Sequence, residues 1–222
     1  MYHPTRAIPR SIVSFDIGYR NLAHVKLDHH NSVVEWVRTD LQLEDFHPSK
    51  TVPVIRNYMK QCILPMLDDG VETIMLEQQR YRQNSAPNVF EHTIRVNSIE
   101  AMLWYALYEA VDGRSISLES ISRQAVDRMW RSEWEEVHPL PEDTSAPQRN
   151  RHKKIACVKL VDHWLDEGER IHLSRPELKA TFKAEKKKDD MADCLLQAMT
   201  WYRWRQTSVD YIQECYDAIY SH

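Results

Sequence analysis

Residues 11–28, with the sequence SIVSFDIGYRNLAHVKLD, decide the fold, because apolar and polar side chains alternate in two runs separated by the short segment around Gly18. Alternation with a period of two is typical of β-strands. A third alternating run, SVVEWVR at 32–38, follows after the turn HHN. Consecutive strands with such short connections pair antiparallel. The segment therefore predicts a three-stranded antiparallel meander.

Two further strands and several helices follow along the chain. We predict the strands at 71–77 and 115–122 and the helices at 52–67, 88–111, 151–167, 189–206 and 208–220. The later strands need helical crossovers, so the order predicts an α/β fold with one mixed five-stranded sheet, flanked by helices, with additional C-terminal helices. The segment 138–148 is Pro-rich and polar, which predicts an exposed loop. We expect one domain over residues 1–222, because each half alone is short of a core.

The composition restricts the class of protein. The chain has 222 residues, 42% of them hydrophobic and 28% charged, which is typical of an ordinary folded domain. Its uncharged apolar runs are far shorter than the ~20 residues that cross a membrane, so we expect no membrane partner. The four cysteines form no CxxC pair, which disfavours a zinc site or a disulfide framework and favours a reducing compartment. The first residues, MYHPTRAIPR, are too short and too Pro-marked for an amphipathic transit helix.

Charge is distributed unevenly along the chain. The formal net charge of −4, averaged over the whole chain, argues against a nucleic-acid partner. The distribution of the charges argues otherwise. Basic residues cluster at 149–154 and 179–188, whereas acidic residues gather at 133–143. Each basic run alone is typical of a solvated helix end, but their segregation from the acidic residues lets them attract phosphate locally.

Four carboxylates stand where the predicted elements can bring them together. Asp16 ends the first strand and Glu77 ends the fourth. Asp190 and Asp193 share one face at the start of a helix, within KKKDDMADCLLQAM at 186–199. Each acid alone has a structural explanation, as a strand-end cap, a solvated residue or a helix cap favoured by the dipole. Their coincidence at two strand ends and one helix start favours a shared cleft.

A shared cleft of carboxylates is unfavourable unless a cation occupies it, because like charges at close range raise one another's pKa. Oxygen ligands without His or Cys suit Mg²⁺ or Mn²⁺. Two such ions can activate a water and stabilise the leaving oxygen in phosphodiester hydrolysis. The lysines at 186–188 would then contact the phosphates of the substrate. The pattern predicts a metal-dependent nuclease.

Three motifs, SFDIGYRNLAHV, MLEQQRYRQNS and KKKDDMADCLLQA, resemble the active-site motifs of the fungal mitochondrial cruciform-cutting Holliday-junction resolvases, which are relatives of bacterial RuvC in the ribonuclease H-like superfamily. The resemblance covers nearly the whole chain in order. It implies a ribonuclease H-like fold and a homodimeric endonuclease that cuts four-way DNA junctions symmetrically, leaving 5′-phosphate and 3′-hydroxyl nicks. It also implies two Mg²⁺ ions per site, with Mn²⁺ as a substitute, no small-molecule cofactor, and a mitochondrial location.

The resemblance also assigns roles to individual residues. The catalytic metal ligands are Asp16, Glu77, Asp190 and Asp193, with Asp189 as an alternative to Asp190. A basic residue at the scissile phosphate corresponds to Lys153 or Lys154, and this choice stays open, with Lys154 as the candidate catalytic residue. The DNA-binding residues are Arg80, Tyr81, Arg82, Asn84, Arg151, Lys153, Lys154, Lys186, Lys187 and Lys188, and Asn88 is a weaker candidate.

Three other classes share parts of this pattern. A ribonuclease H acting on an RNA–DNA hybrid would use a similar set of carboxylates, and a non-catalytic protein could bind branched DNA through the same basic residues. The EQQRYR motif and the predicted helix after it favour the resolvase. Sugar kinases and actin-like ATPases have a similar first hairpin, but a chain with 222 residues and four glycines is too short and too poor in glycine for them.

Overall fold

The computed structural model describes residues 8–80, 89–141 and 144–220. Its strands are β1 (Ser11–Ile17), β2 (Asn21–Asp28), β3 (Ser32–Asp40), β4 (Thr73–Glu77), β5 (Ser117–Ile121) and β6 (His172–Leu173). They form one mixed sheet in the order β5-β4-β1-β2-β3-β6. β1, β2 and β3 pair antiparallel, whereas β4 and β5 run parallel to β1. The predicted meander and both later strands are therefore confirmed.

The sheet has six strands where we predicted five. The additional strand, β6, lies parallel to β3, with His172 opposite Ser32 and Leu173 opposite Val33. It has only two residues, which is too short for an alternation of side chains to be visible in the sequence.

The helices are α1 (Pro48–Tyr58), α2 (Leu64–Asp68), α3 (Glu91–Val111), α4 (Arg123–Val137), α5 (Ala146–Glu167), α6 (Glu177–Ala184) and α7 (Lys188–Tyr220), with a π-helical segment (Met59–Ile63) joining α1 to α2. We did not predict α4 and α6 from the sequence. Their buried residues nevertheless follow helical spacing, with Val126, Trp130 and Trp134 on α4. No helix within the described residues is long and apolar enough to span a membrane.

Two helix boundaries differ from those predicted. We predicted separate helices at 189–206 and 208–220, but α7 is continuous, because the hydroxyl groups of Thr207 and Ser208 donate to carbonyls one turn back and do not interrupt the helix. The predicted loop at 138–148 is shorter than expected. Ser145 and Gln148 form a capping box that starts α5 at Ala146.

The core consists of two apolar clusters, one on each face of the sheet. α1, α2 and α3 cover one face and α4 to α7 cover the other. Within β1, Ile12 packs on the α7 side, whereas Val13 and Phe15 pack on the α3 side. Side chains alternate along a strand, so Asp16 points toward the α7 side. Ser14, on the same face, donates a hydrogen bond of 3.0 Å to Gln197 of α7.

The strand register brings Asp16 and Glu77 side by side. β1 and β4 are parallel, and Phe15 pairs with Leu76, so Asp16 and Glu77 follow at the same end of adjacent strands. Met75 belongs to the core on the α7 side, and the alternation places Glu77 on that side as well. The fold thus directs both carboxylates toward the first turn of α7.

Candidate metal centre and nucleic-acid interface

The ends of β1 and β4 and the first turn of α7 bring the four predicted carboxylates around one cleft. A cavity of about 430 Å³ is lined by Asp16, Glu77 and Asp190. A second cavity of about 390 Å³ is lined by Glu77 and Asp193. The two cavities share Glu77 in their walls, so they are parts of one cleft.

Burial makes these carboxylates difficult to ionise together. Asp16 and Glu77 are 8% and 4% exposed. Burial raises the pKa of Asp16 well above its usual range, and the neighbouring Glu77 and Asp193 raise it further. Burial also raises the pKa of Asp193 to about 6, an effect that Arg123 opposes and Glu77 increases. Such mutual shifts indicate carboxylates close enough to share a cation or a proton.

Arg123 is a residue of this cleft that the sequence patterns did not indicate to us. It begins α4, two residues after the end of β5. Its Nε lies 2.9 Å from Glu77 Oε1, and its Nη2 donates to Asp193 Oδ2 at 2.8 Å. Although burial opposes it, the charges of Glu77 and Asp193 raise the pKa of Arg123, so the guanidinium remains charged. The signal that could have found Arg123 is its position after a strand parallel to β4.

Arg38 of β3 is a second guanidinium in contact with the carboxylates. Its Nε donates to Asp190 Oδ2 at 3.2 Å and its Nη1 to Glu185 Oε1 at 3.3 Å. Burial and the adjacent Asp189 raise the pKa of Asp190, while the bond from Arg38 lowers it. Arg38 therefore neutralises charge at one side of the cleft, as Arg123 does at its centre.

These salt bridges occupy carboxylate oxygens that a metal ion would use. Within the described ranges, no three Asp, Glu, His or Cys side chains form a group that could hold a metal ion as they stand. The donor chemistry still fits a hard divalent cation, because every candidate ligand is a carboxylate. Asp16 has no salt-bridge partner in the described part of the chain, and the charge of Arg123 offsets only part of the effect of burial on its pKa. The residues fit a divalent cation provided that Arg123 releases Glu77 and Asp193.

The structure places the two adjacent lysines of α5 differently. Lys154 lines both cavities, and its Nζ lies 2.6 Å from Asp189 Oδ2. Lys153 lines the second cavity and forms a salt bridge with Asp127. Lys154 is thus the more central of the two cations.

Asp189 is adjacent to Asp190 but lines a different surface. It lines neither of the two cavities and belongs to a third, of about 340 Å³, among basic residues. Although burial opposes it, the Lys154 ammonium lowers the pKa of Asp189. This position favours Asp190 over Asp189 as a ligand.

The third cavity is a basic groove that leads from the cleft. It is lined by the predicted DNA-binding residues Arg151, Lys154, Lys186 and Lys188, together with Lys159 and the apolar side chains of Ile155 and Val158. Lys187 instead lines the cavity that contains Asp16. Lys154 contributes to both the cleft and the groove, so the two are continuous.

The basic cluster at 179–188 does not act as one surface. Lys183 forms salt bridges with Asp162 and Asp166 of α5, and Lys179 with Asp166. These two lysines fix α6 to α5. Of the lysines in this cluster, those at 186–188 line the cavities described above.

Of the four candidates that follow Glu77, one is described. Arg80 is exposed and lines the second cavity, and its carbonyl accepts a 3.2 Å hydrogen bond from Asn97 of α3. Tyr81, Arg82 and Asn84 lie outside the described residues, as does Asn88.

Comparison with known proteins gives a family match over most of the chain. The family described as "Mitochondrial resolvase Ydc2 / RNA splicing MRS1" matches residues 12–211. The chain is also 29% identical over 233 residues to the mitochondrial cruciform cutting endonuclease 1 of Schizosaccharomyces pombe, an alignment that covers 92% of this chain and 82% of that protein.

Two solved structures have similar folds. The crystal structure of the yeast mitochondrial Holliday junction resolvase Ydc2 superimposes with a TM-score of 0.67 and 23% identity, covering 96% of this chain and 88% of that one. The structure of T. thermophilus RuvC with a Holliday junction substrate gives a TM-score of 0.50 and 11% identity, covering 87% and 95%. These likenesses confirm the ribonuclease H-like fold that the sequence motifs imply.

Proposed function

Because the chain belongs to the family of the mitochondrial resolvase Ydc2 and the RNA-splicing protein MRS1, we propose that it is a metal-dependent endonuclease that resolves four-way DNA junctions. The convergence of Asp16, Glu77, Asp190 and Asp193 on one cleft carries this proposal. The mitochondrial relative from Schizosaccharomyces pombe supports a mitochondrial location.

The four carboxylates would hold two Mg²⁺ ions, for which Mn²⁺ can substitute. When bound, the ions polarise the phosphodiester and lower the pKa of the attacking water. Burial and the charge of Glu77 raise the pKa of Asp16, and a bound cation would oppose this shift. The hydrolysis leaves a 3′-hydroxyl and a 5′-phosphate, which a ligase can join.

Two cations of the chain complement the carboxylates. Lys154 lies where the cleft meets the basic groove, so its ammonium group can contact the scissile phosphate. Arg123, once released from Glu77 and Asp193, can turn to the same phosphate and offset its charge. Positive groups held at the reacting phosphate stabilise the charge that develops there.

The basic groove gives the DNA backbone a path away from the cleft. Arg151, Lys186 and Lys188 line this groove, and Lys187, Lys153 and Arg80 line the cleft itself. Contacts of this kind bind phosphates without reading sequence, which suits an enzyme that selects a branched structure. Tyr81, Arg82 and Asn84 stay candidates for contacts near the junction centre.

A homodimer would match the two-fold symmetry of a four-way junction and its paired cuts. The surface best suited to a second copy is a mainly apolar cavity of about 770 Å³ between α1 and α3, lined by Val52, Met59, Met102 and Tyr105 among others. Tyr105 is 70% exposed on this surface. Apolar side chains that gather at an exposed surface are typical of interaction sites.

One observation favours a different function, a non-catalytic nucleic-acid-binding protein. Arg38 and Arg123 neutralise Asp190, Glu77 and Asp193 without any metal ion. This alternative leaves Asp16 unexplained, because burial and the charges of Glu77 and Asp193 raise its pKa despite Arg123, and a protein without catalysis gains nothing from this cost. We therefore prefer the enzyme.

A cleavage assay tests the proposal. Purified protein with Mg²⁺ is incubated with a labelled four-way DNA junction, a linear duplex, an RNA–DNA hybrid and a folded RNA of matched sequence. Paired symmetric nicks on the junction, absent with EDTA, are expected. Cutting of the hybrid alone would assign a ribonuclease H activity, and binding of the junction or the RNA without cutting would assign the non-catalytic function.

A further inference from the structure

A group of aromatic and cationic side chains, Tyr19, Arg20, His92 and Arg95, lies at the wall of the catalytic cleft. Tyr19, Arg20 and His92 line the same cavity as Asp16 and Glu77. The rings of Tyr19 and His92 meet edge to face, with centroids 5.5 Å apart and planes at 84°. The elements that supply them are the β1–β2 turn and the first turn of α3.

Two guanidinium groups lie over the Tyr19 ring. That of Arg20 lies 5.4 Å and that of Arg95 5.5 Å from the ring centroid, and Arg95 also lies 5.9 Å from the ring of Phe46. Arg95 has an ion-pair partner in Glu91 on its own helix. Tyr19 is half-buried against the core, whereas Arg20 and His92 are exposed. Aromatic faces beside cations are the combination with which proteins hold unpaired nucleotides.

The turn that carries Tyr19 is rigid. The N–H of Gly18 donates to the carbonyl of Asn21 at 2.9 Å, and the N–H of Leu41 donates to the carbonyl of Arg20 at 2.7 Å. A Cβ atom at Gly18 would lie 3.0 Å from the Asn21 oxygen, so the turn depends on glycine. A ring fixed in this way loses little conformational entropy when a partner stacks on it.

We propose that Tyr19 and His92 form a stacking site for one unpaired base next to the phosphate that is cut. Because both guanidinium groups lie over the Tyr19 ring, Arg20 leaves the ring to free a face for the base and binds the adjoining backbone, whereas Arg95, paired with Glu91, stays over the ring. The proposal rests on the proposed function, because the site gains its position from sharing a cavity with the carboxylates. Stacking on an aromatic ring tolerates any base, so the site would hold the unpaired nucleotide without reading its identity.

A cycle of binding measurements tests the site. Dissociation constants are measured in EDTA by fluorescence anisotropy, so that no cutting occurs. The wild type and Tyr19→Leu are each titrated with an intact four-way junction and with junctions in which an abasic nucleotide is scanned across the central positions. Tyr211→Leu, which removes an exposed ring from the far end of α7, is the matched control.

Stacking predicts a specific pattern of losses. We expect Tyr19→Leu to bind the intact junction about tenfold more weakly, and one abasic position to weaken the wild type by about the same factor. At that position the two changes should not add, because each removes the same contact. Tyr19→Phe should bind like the wild type. If Tyr19→Leu folds poorly, the same cycle is measured with His92→Ala, which changes an exposed side chain, and the same pattern of losses is expected.

The outcomes separate the inference from the function on which it rests. If the wild type prefers the junction to duplex DNA but the losses add at every position, Tyr19 only packs the turn on α3 and the stacking site is wrong. If the wild type shows no preference for the junction, the proposed function fails and the stacking site fails with it.

Discussion

Arg123 joins two buried carboxylates, with its Nε at 2.9 Å from Glu77 and its Nη2 at 2.8 Å from Asp193. A guanidinium in this position supplies the positive charge that the cleft needs in order to fold without metal. The same contacts occupy oxygen atoms that a metal ion would use. Arg123 and a divalent cation are therefore expected to compete for Glu77 and Asp193.

Arg123→Gln should separate these two effects. Without metal, we expect the variant to unfold at least about 2 °C below the wild type, because its carboxylates lose their counter-charge. Mn²⁺ should bind the variant about tenfold more tightly, since the competitor is gone. Calorimetric titration with Mn²⁺ and thermal unfolding in EDTA measure the two quantities. Arg114→Gln, which removes a surface pair with the exposed Asp68, is the control, and equal Mn²⁺ affinities would contradict the competition.

Asp16→Asn and Asp193→Asn should each abolish cutting and leave junction binding in place. Loss of a metal ligand removes several kcal/mol of transition-state stabilisation, so we expect a drop of about 10³-fold or more in cleavage rate. Binding in EDTA should change by less than about threefold, because phosphate contacts come from basic residues elsewhere. Asp112→Asn, on an exposed turn, is the control. A joint loss of binding and folding would mean that these acids are structural.

The raised pKa of Asp193 gives stability a specific dependence on pH. With a pKa of about 6 in the folded protein, Asp193 binds a proton more tightly there than in the unfolded chain. Its ionisation therefore lowers the free energy of unfolding as pH rises from about 4 to above 6. In EDTA at pH 7.5, Asp193→Asn should unfold roughly 6–12 °C above the wild type, and the difference should vanish near pH 4. A constant difference across this range would contradict the assigned shift.

Local patterns predicted the parts of the site that lie on regular elements. Alternation placed Asp16 at a strand end, and the apolar run 71–77 did the same for Glu77. The spacing of Asp190 and Asp193 placed both on one helical face. The salt bridges of Arg123 and Arg38 were not predictable in this way, because 46 residues separate Arg123 from Glu77 and 152 separate Arg38 from Asp190. Only the assembled sheet brings such distant side chains into contact.

The lysines show the same limit. The run at 179–188 has one composition in the sequence, yet Lys179 and Lys183 face acidic partners on α5 while Lys186 and Lys188 line a groove. Helical spacing could have suggested this division only if α6 had been recognised. Its eight residues were too few for a clear apolar period between the flanking loops.

Lys154 and Lys153 should differ in their effect on catalysis. Lys154→Gln should lower kcat by about 10²-fold with little change in junction affinity, because Lys154 lies between the carboxylates and the groove. Lys153→Gln should have a smaller effect, since Lys153 is engaged with Asp127. Single-turnover cleavage rates and anisotropy titrations distinguish the two. Arg128→Gln, exposed on α4 and away from the cleft and the groove, is the control, and a larger loss for Lys153→Gln would reverse the assignment.

The apolar surface of α3 should decide the oligomeric state. Tyr105→Asp places a charge on a side chain that is 70% exposed and borders the cavity between α1 and α3. If a second copy packs there, burying this charge is unfavourable, and the dimer should dissociate at concentrations where the wild type stays dimeric. Light scattering coupled to size-exclusion chromatography measures the mass. Tyr211→Asp, at a similarly exposed position on α7, should leave the dimer intact. A monomeric Tyr211→Asp beside a dimeric Tyr105→Asp would move the interface to α7, and the paired cuts would then need a different arrangement of the two clefts.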